Sequence, residues 1–141
     1  QLKAFKSGDR AGPMAAQMAP IVAMLSDADM ANLAAYFSSL PAATNKADAA
    51  TATAGEMLYR GGDAKAGIPA CMSCHGPGGK GMAAAGFPAV SGQHAQYSAS
   101  QLKGFAEGVR KGPQAQMMTT IAARLDDAQM QAVSQYMAGL R

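Results

Sequence analysis

The sequence lacks tryptophan and holds few large apolar side chains of any kind. Leu, Ile, Val and Phe together account for nineteen of the 141 residues, and most other apolar positions are Ala or Met. So small a share is typical of disordered chains, but a net charge of only +3 and clear helical periodicity argue against disorder. The composition disfavours a large catalytic α/β domain. It predicts a helical protein whose centre is filled by something other than its own side chains.

Three further absences narrow the class of protein. The basic residues form no block and do not alternate with aromatic residues, so no nucleic-acid partner is expected. There is no run of 18 apolar residues, so no transmembrane segment is expected. No signal peptide is recognisable, which does not argue for the cytosol because a processed chain has lost its leader.

The chain repeats itself at an offset of 100 residues. Residues 1–41 and 101–141 align without gaps and share 18 identities in 41 positions, including the Gly-Pro pair at 12–13 and 112–113. A period this long indicates two copies of one small domain rather than a solenoid. We expect residues 1–41 to be the C-terminal part of a first domain, 42–54 a linker of small and polar residues, and 55–141 a complete second domain.

Periodicity predicts an all-α fold. We expect a short helix over 55–60 that ends at Gly61, a helix opened by a Ser98/Gln101 capping box and continuing to about Arg110, and a stop at Gly112-Pro113. A short helix over 118–124 should follow, and Asp126 or Asp127 should cap the last helix. That helix carries the apolar stripe Met130, Val133, Met137 and Leu140, which the first copy repeats as Met30, Leu33, Phe37 and Leu40.

The only two cysteines lie in the run Cys71-Met72-Ser73-Cys74-His75. A Cys-x-x-Cys-His run is the attachment signature of c-type haem, in which both thiols form thioethers to one porphyrin and the adjacent His binds the iron. A redox dithiol would need a βαβ setting, and a zinc site would need four ligands. A structural disulfide at this spacing would stabilise little. Haem attachment is the favoured hypothesis, with these three as alternatives.

Haem iron also needs a sixth ligand or an open face. Met118 follows the Gly-Pro loop and is repeated as Met18, whereas its neighbour Met117 aligns with Gln17. We therefore predict Met118 as the ligand, with Met117 as the main rival. Met30 and Met130 lie on the helix stripes and indicate packing. His94 lies in a loop and is expected to be a surface or hydrogen-bonding residue.

Three segments together resemble the second domain of the cytochrome c4 family, dihaem class I c-type cytochromes. They are Gly55–Gly62, Cys71–His75 and Phe87–Tyr97, and the resemblance extends over 55–141. It implies a tandem class I cytochrome c fold and one covalent haem c on this chain, with a second expected in an untruncated molecule. It implies Cys71 and Cys74 as thioether anchors, His75 as the proximal ligand and Met118 as the distal ligand.

Pro88 matches the family's proline, whose carbonyl orients the proximal His; a simple loop turn is the alternative. The family's first haem motif is not among the 141 residues, so Met18 is expected to ligate a first haem only if other residues supply that haem.

The resemblance implies a periplasmic electron carrier, soluble or peripherally attached to a membrane, and not an enzyme. It would move single electrons from a quinol-oxidising complex or a dehydrogenase to a terminal cytochrome oxidase. Partners are expected to dock around the haem edge near Ala70, Met72 and the loop 78–82. The alternatives are an electron-transfer subunit fixed in a larger redox complex and a haem enzyme or sensor with a labile sixth ligand.

Overall fold

The computed structural model describes residues 1–41, 43, 45–112 and 114–141, and this part of the chain is built from helices and loops. Extended pairing within it is limited to two isolated bridges, Asp63–Ile68 and Met82–Phe87. The all-α prediction is confirmed. The described helices are α1 (Leu2–Ser7), α2 (Ala15–Ala23), α3 (Asp27–Ser39), α4 (Ala49–Gly61), α5 (Met72–His75), α6 (Ala95–Ala106), α7 (Ala115–Ala122) and α8 (Asp127–Gly139), with a 3₁₀ turn at Ala83–Ala85.

The internal repeat extends to the backbone. Helices α2 and α3 begin 100 residues before α7 and α8. Met14 and Gln114, one residue before α2 and α7, both adopt a left-handed conformation with φ of 68° and 62°. Few non-glycine residues accept positive φ, so its recurrence at equivalent positions indicates two copies of one loop.

Helix α8 follows the sequence prediction closely. Asp126 caps it, and its side chain accepts a hydrogen bond from the Gln129 backbone while the Gln129 side chain accepts one from the Asp126 backbone. The predicted stripe is buried, and α8 packs against both α4 and α6. The core formed there consists of Leu58, Tyr59, Ile68, Leu102, Phe105, Ala122, Met130, Val133, Met137 and Leu140.

Helix α4 is longer than predicted. It begins at Ala49, inside the segment predicted as a linker, and the Asp48 side chain caps it by accepting a hydrogen bond from the Ala50 backbone. Gly55 lies where α4 crosses α8, and a Cβ at this position would overlap the Ala132 carbonyl. Gly55 therefore lets α4 pack directly against the backbone of α8.

The predicted start of α6 is wrong. The helix begins at Ala95 after His94, and Ser98 and Gln101 are buried inside it instead of forming a capping box. It ends at Ala106, before the predicted Arg110, because Gly108 adopts a left-handed φ of 67°. The predicted stop at Pro113 lies outside the described residues. Helix α7 also begins earlier than the predicted residue 118.

The apolar stripe of α3 is largely uncovered. Met30 is buried, whereas Phe37 and Leu40 are 65% and 44% exposed. The reason is that the described residues place no counterpart of α4 against α3. No helix in these described ranges combines the length and apolar character needed to cross a bilayer.

Candidate functional site: a thiol-imidazole turn and Met118

One turn of helix brings Cys71, Cys74 and His75 together. The Cys74 and His75 backbone N–H groups both donate to the Cys71 carbonyl, at 3.3 and 3.0 Å. This geometry fixes two thiols and one imidazole as a single unit at α5, and all three side chains are half-buried. Cys71 packs against the apolar core.

The electrostatics of Cys71 do not suit a redox dithiol. Burial, with a smaller contribution from the nearby Cys74, raises the pKa of the Cys71 thiol to about 11. Redox-active thiols need the thiolate and therefore a lowered pKa. A protonated thiol against an apolar core is instead compatible with conversion to a neutral thioether.

His75 is oriented through its Nδ1 atom. This atom lies 2.8 Å from the Pro88 carbonyl oxygen, a contact in which Nδ1–H donates and Nε2 is left with a free lone pair. The contact is the one that the resemblance implied for Pro88. Such a partner fixes the tautomer and the ring plane and increases the basicity of the other nitrogen.

The loop that carries Pro88 is tied back to the turn. The Gly81 N–H donates to the His75 carbonyl at 2.8 Å, and Met82 and Phe87 form a small bridge that reverses the chain. Gly81 has a φ of 73°, and a Cβ there would meet the Phe87 carbonyl oxygen at 2.5 Å. Glycine at this position therefore lets the loop close on His75.

Tyr59 anchors the exit from the turn. It is fully buried in α4, and its hydroxyl donates to the Gly76 carbonyl at 2.7 Å. Burial raises the pKa of Tyr59 to about 12, so the hydroxyl stays a donor throughout the neutral range. The sequence analysis missed this role, because nothing in the pattern around residue 59 indicates a partner 17 residues away.

Helix α7 carries both candidate methionines. Met118 is partly buried and packs against the core, whereas Met117 is 48% exposed. The side chain of Gln114 fills the space over Gly86, at 2.5 Å from where a Cβ would lie. Gln114 is a second residue that the sequence analysis missed. Gln114 aligns with Met14 in the first repeat, so the two repeats differ at this position and their comparison does not single it out.

The remaining candidates lie elsewhere. His94 is exposed at the start of α6, and its Nδ1 lies 3.5 Å from Asn45 Nδ2. Met18 is half-buried on α2 in the first repeat. Around the turn, Met82 is 52% exposed, Lys80 is exposed, and Ala70 and Met72 are half-buried. Among the described residues no three His, Cys, Asp or Glu side chains converge as a metal cluster would require.

The donor set therefore fits one covalently attached haem. Two thiols and an imidazole share a turn, the imidazole is oriented with Nε2 free, and the Met118 thioether packs against the same core cluster as Cys71. This combination matches the ligands of c-type haem iron better than those of a zinc site.

Comparisons with known proteins agree with the fold. The Cytochrome c family model matches residues 47–141. Cytochrome c4 of Pseudomonas aeruginosa is 42% identical over 141 residues, covering 99% of this chain and 69% of that protein. A protein of Stutzerimonas stutzeri described as a thiosulfate dehydrogenase electron acceptor is 38% identical, covering 99% of this chain and 64% of that protein. The crystal structure of reduced recombinant cytochrome c4 from Pseudomonas stutzeri superposes with a TM-score of 0.89 at 41% identity, covering 99% of this chain and 77% of that one.

Proposed function

Because this chain belongs to the cytochrome c4 family, we propose that it is a one-electron carrier whose haem c is anchored by Cys71 and Cys74 and ligated by His75 and Met118. The haem supplies an iron that changes its charge by one unit. The observation that carries the assignment is the Cys71–His75 turn, with Nδ1 of His75 held by the Pro88 carbonyl.

Each residue has a distinct task. The thioethers of Cys71 and Cys74 fix the ring to α5, and Pro88 holds the imidazole plane. The thioether of Met118 favours reduced iron and raises the reduction potential. If His75 and Met118 both bind, the iron of a tetrapyrrole ring would have all six coordination positions filled, which would suit outer-sphere electron transfer and disfavour an enzyme or sensor.

Substitution of the two neighbouring methionines tests the ligand. In the oxidised protein, Met118→Ala should abolish the Met–iron charge-transfer band and lower the reduction potential, because the thioether is lost. Met117→Ala should preserve both, since this side chain points to solvent. A band that survives in Met118→Ala and disappears in Met117→Ala would overturn the assignment, and a high-spin resting spectrum of the unaltered protein would favour the enzyme or sensor.

The partners follow from the exposed rim of the turn. A dehydrogenase or quinol-oxidising complex would deliver electrons, and a cytochrome oxidase would receive them. The similarity to a thiosulfate dehydrogenase electron acceptor supports the dehydrogenase. Docking would centre on Ala70, Met72 and the loop 78–82, in which Met82 is the exposed apolar side chain. A fixed subunit of a larger complex should co-purify with an enzyme at a constant ratio, whereas a free carrier should purify alone.

The proposed compartment is the periplasm, because haem is attached to thiols outside the bacterial cytoplasm.

The proposed domain division places the first repeat at 1–41 and the second at 55–141. The start of α4 at Ala49 and the family match from residue 47 support moving the second boundary upstream, into the segment 42–54. Met18 is proposed as a ligand only for a first haem held by residues that precede this repeat.

A further inference from the structure

One contact joins helix α7 to the loop that orients His75. The Gln114 carboxamide lies over Gly86, where an added Cβ would come within 2.5 Å of Gln114 Oε1 and 2.6 Å of Nε2. Gly86 closes the 3₁₀ turn at Ala83–Ala85, and its N–H donates to the Ala83 carbonyl. Because glycine has no side chain, the loop leaves room for the carboxamide. The start of α7 and the loop are therefore in direct contact.

That loop is bonded to His75 at both of its ends. The Met82–Phe87 bridge pairs the two ends with backbone hydrogen bonds of 2.8 and 3.1 Å. The next residue, Pro88, places its carbonyl oxygen 2.8 Å from His75 Nδ1. On the other side, the Gly81 N–H donates to the His75 carbonyl. Gln114 consequently lies against the segment that fixes the imidazole.

The same residue begins the helix that carries Met118. Gln114 is the N-cap of α7, so its carbonyl accepts the first hydrogen bond of the helix. Met118 lies about one helical turn further along the chain. In the first repeat, the equivalent Met18 N–H donates to the Met14 carbonyl at 3.3 Å. A movement of Gln114 is therefore transmitted to the backbone of Met118.

Gln114 occupies this place in an unfavourable backbone conformation. Its φ is 62°, and among the described residues Met14 is the only other non-glycine residue with a positive φ. Such conformations persist where the surrounding contacts require them. Backbone conformation alone would favour glycine at this position. The contact with Gly86 is therefore the feature that the Gln114 side chain contributes.

We propose that Gln114 is a positioning residue, which holds α7 against the loop of Pro88 and thereby keeps the Met118 thioether on the haem iron. The proposal rests on the proposed ligation by His75 and Met118. It makes Gln114 a determinant of the equilibrium between a closed form, in which Met118 binds the iron, and an open form, in which the thioether has left it. One contact thus couples the supports of both axial ligands.

Binding of added imidazole to the oxidised holoprotein measures the open form. Imidazole binds when the sixth position is free, so its apparent dissociation constant is inversely proportional to the open fraction. Gln114→Ala removes the carboxamide and should lower this constant about fivefold, the factor typical for loss of one packing contact. Gln114→Glu, which keeps the shape of the side chain, should bind imidazole as the unaltered protein does. Loss of the Met–iron charge-transfer band follows each titration.

The chain offers a matched control on the same helix. Gln116 is exposed on α7, and Gln116→Ala removes the same carboxamide without changing imidazole affinity. Gly86→Ala should displace the Gln114 side chain and increase imidazole affinity as Gln114→Ala does. In the double variant the two effects should not add, because either change alone removes the same contact.

Gln114→Gly separates positioning from general stability. Glycine accepts a positive φ without strain, so this variant should unfold at the same or a higher temperature while binding imidazole more tightly. A purely structural role predicts the reverse, since a more stable fold opens less often. An imidazole affinity that is unchanged in Gln114→Gly and Gln114→Ala, or that changes equally in Gln116→Ala, would overturn the proposal.

The charge-transfer band distinguishes this role from the ligation on which it rests. An unaltered protein without the Met–iron band would overturn the ligation by Met118 and the role of Gln114 together. A band present in every variant, with equal imidazole affinities, would overturn only the role of Gln114. Should Gly86→Ala fail to fold because of its φ of 74°, the Gln114 and Gln116 variants decide.

Discussion

At the scale of single residues, the Cys71–His75 motif is held in place by hydrogen bonds to residues that lie outside the motif. His75 is visible in the sequence as part of a signature, and the carbonyl of Pro88 was placed beside it by resemblance. The structure adds Tyr59, which holds the Gly76 carbonyl from a different helix. Signatures show which atoms bind, whereas long-range hydrogen bonds, which show how those atoms are held, leave no local pattern.

Tyr59→Phe tests this anchor. The change removes one buried hydrogen bond and leaves the Gly76 carbonyl unpaired, so we expect the free energy of unfolding to fall by about 1 kcal/mol. Chemical denaturation of the holoprotein measures it. Tyr36→Phe, at a side chain that is 60% exposed, is the control and should change little. Equal losses in the two variants would contradict the anchoring role.

The raised pKa of Tyr59 predicts a pH dependence of stability. The unfolded side chain loses its proton near pH 10, while the folded one keeps it to about pH 12. The unfolded state therefore binds fewer protons between these values, and stability falls as pH rises from 10 to 12. The free energy of unfolding, measured from pH 10 to 12, should fall less in Tyr59→Phe than in the unaltered protein. Equal pH dependence in the two proteins would contradict the prediction.

At the scale of helices, the sequence predicted what local patterns determine. The stripe on α8 and a cap at Asp126 or Asp127 are short-range features that the sequence predicts, and the structure has the stripe buried and Asp126 as the cap. The start of α4 was missed because Ala and Thr are common in linkers as well as helices. The start of α6 was missed because Ser98 looks like a cap in sequence but is buried by its tertiary neighbours. Packing overrides a capping pattern when the whole turn is inside the core.

The close crossing of α4 and α8 predicts that an added methyl group lowers stability at Gly55 but not at Gly61. Gly55→Ala should destabilise the protein by about 1–3 kcal/mol, because the Cβ overlaps the Ala132 carbonyl and forces the helices apart. Gly61→Ala in the same helix meets nothing within 4 Å and should be neutral or slightly stabilising. Thermal unfolding of both variants measures the difference, and similar losses would exclude a close crossing.

At the scale of the molecule, the shortage of large aliphatic residues acquires a physical explanation. A porphyrin supplies the apolar volume that nineteen Leu, Ile, Val and Phe residues cannot. The repeat was readable from sequence, but the way the two copies meet was not, because contacts between Gly12 and Arg110 follow from loop shape.

Removal of both anchors tests how far the fold depends on haem. A Cys71→Ser/Cys74→Ser variant should carry no haem after denaturation and should lose cooperative thermal unfolding. Ser73→Ala, between the two cysteines, should retain one haem per 141-residue chain. Intact mass and circular dichroism measure both properties. A double variant that melts as sharply as the unaltered protein would show that its own side chains form a sufficient core.

The short turn at α5 has a consequence for the life of the protein in dilute compartments. A cofactor held only by packing dissociates each time the pocket opens, and its recovery depends on how much free cofactor is nearby. With haem c bonded to a four-residue turn, the unfolded chain keeps its cofactor, and refolding becomes a unimolecular event at any dilution. Proteolysis can then remove the carrier, but dissociation of its haem cannot inactivate it.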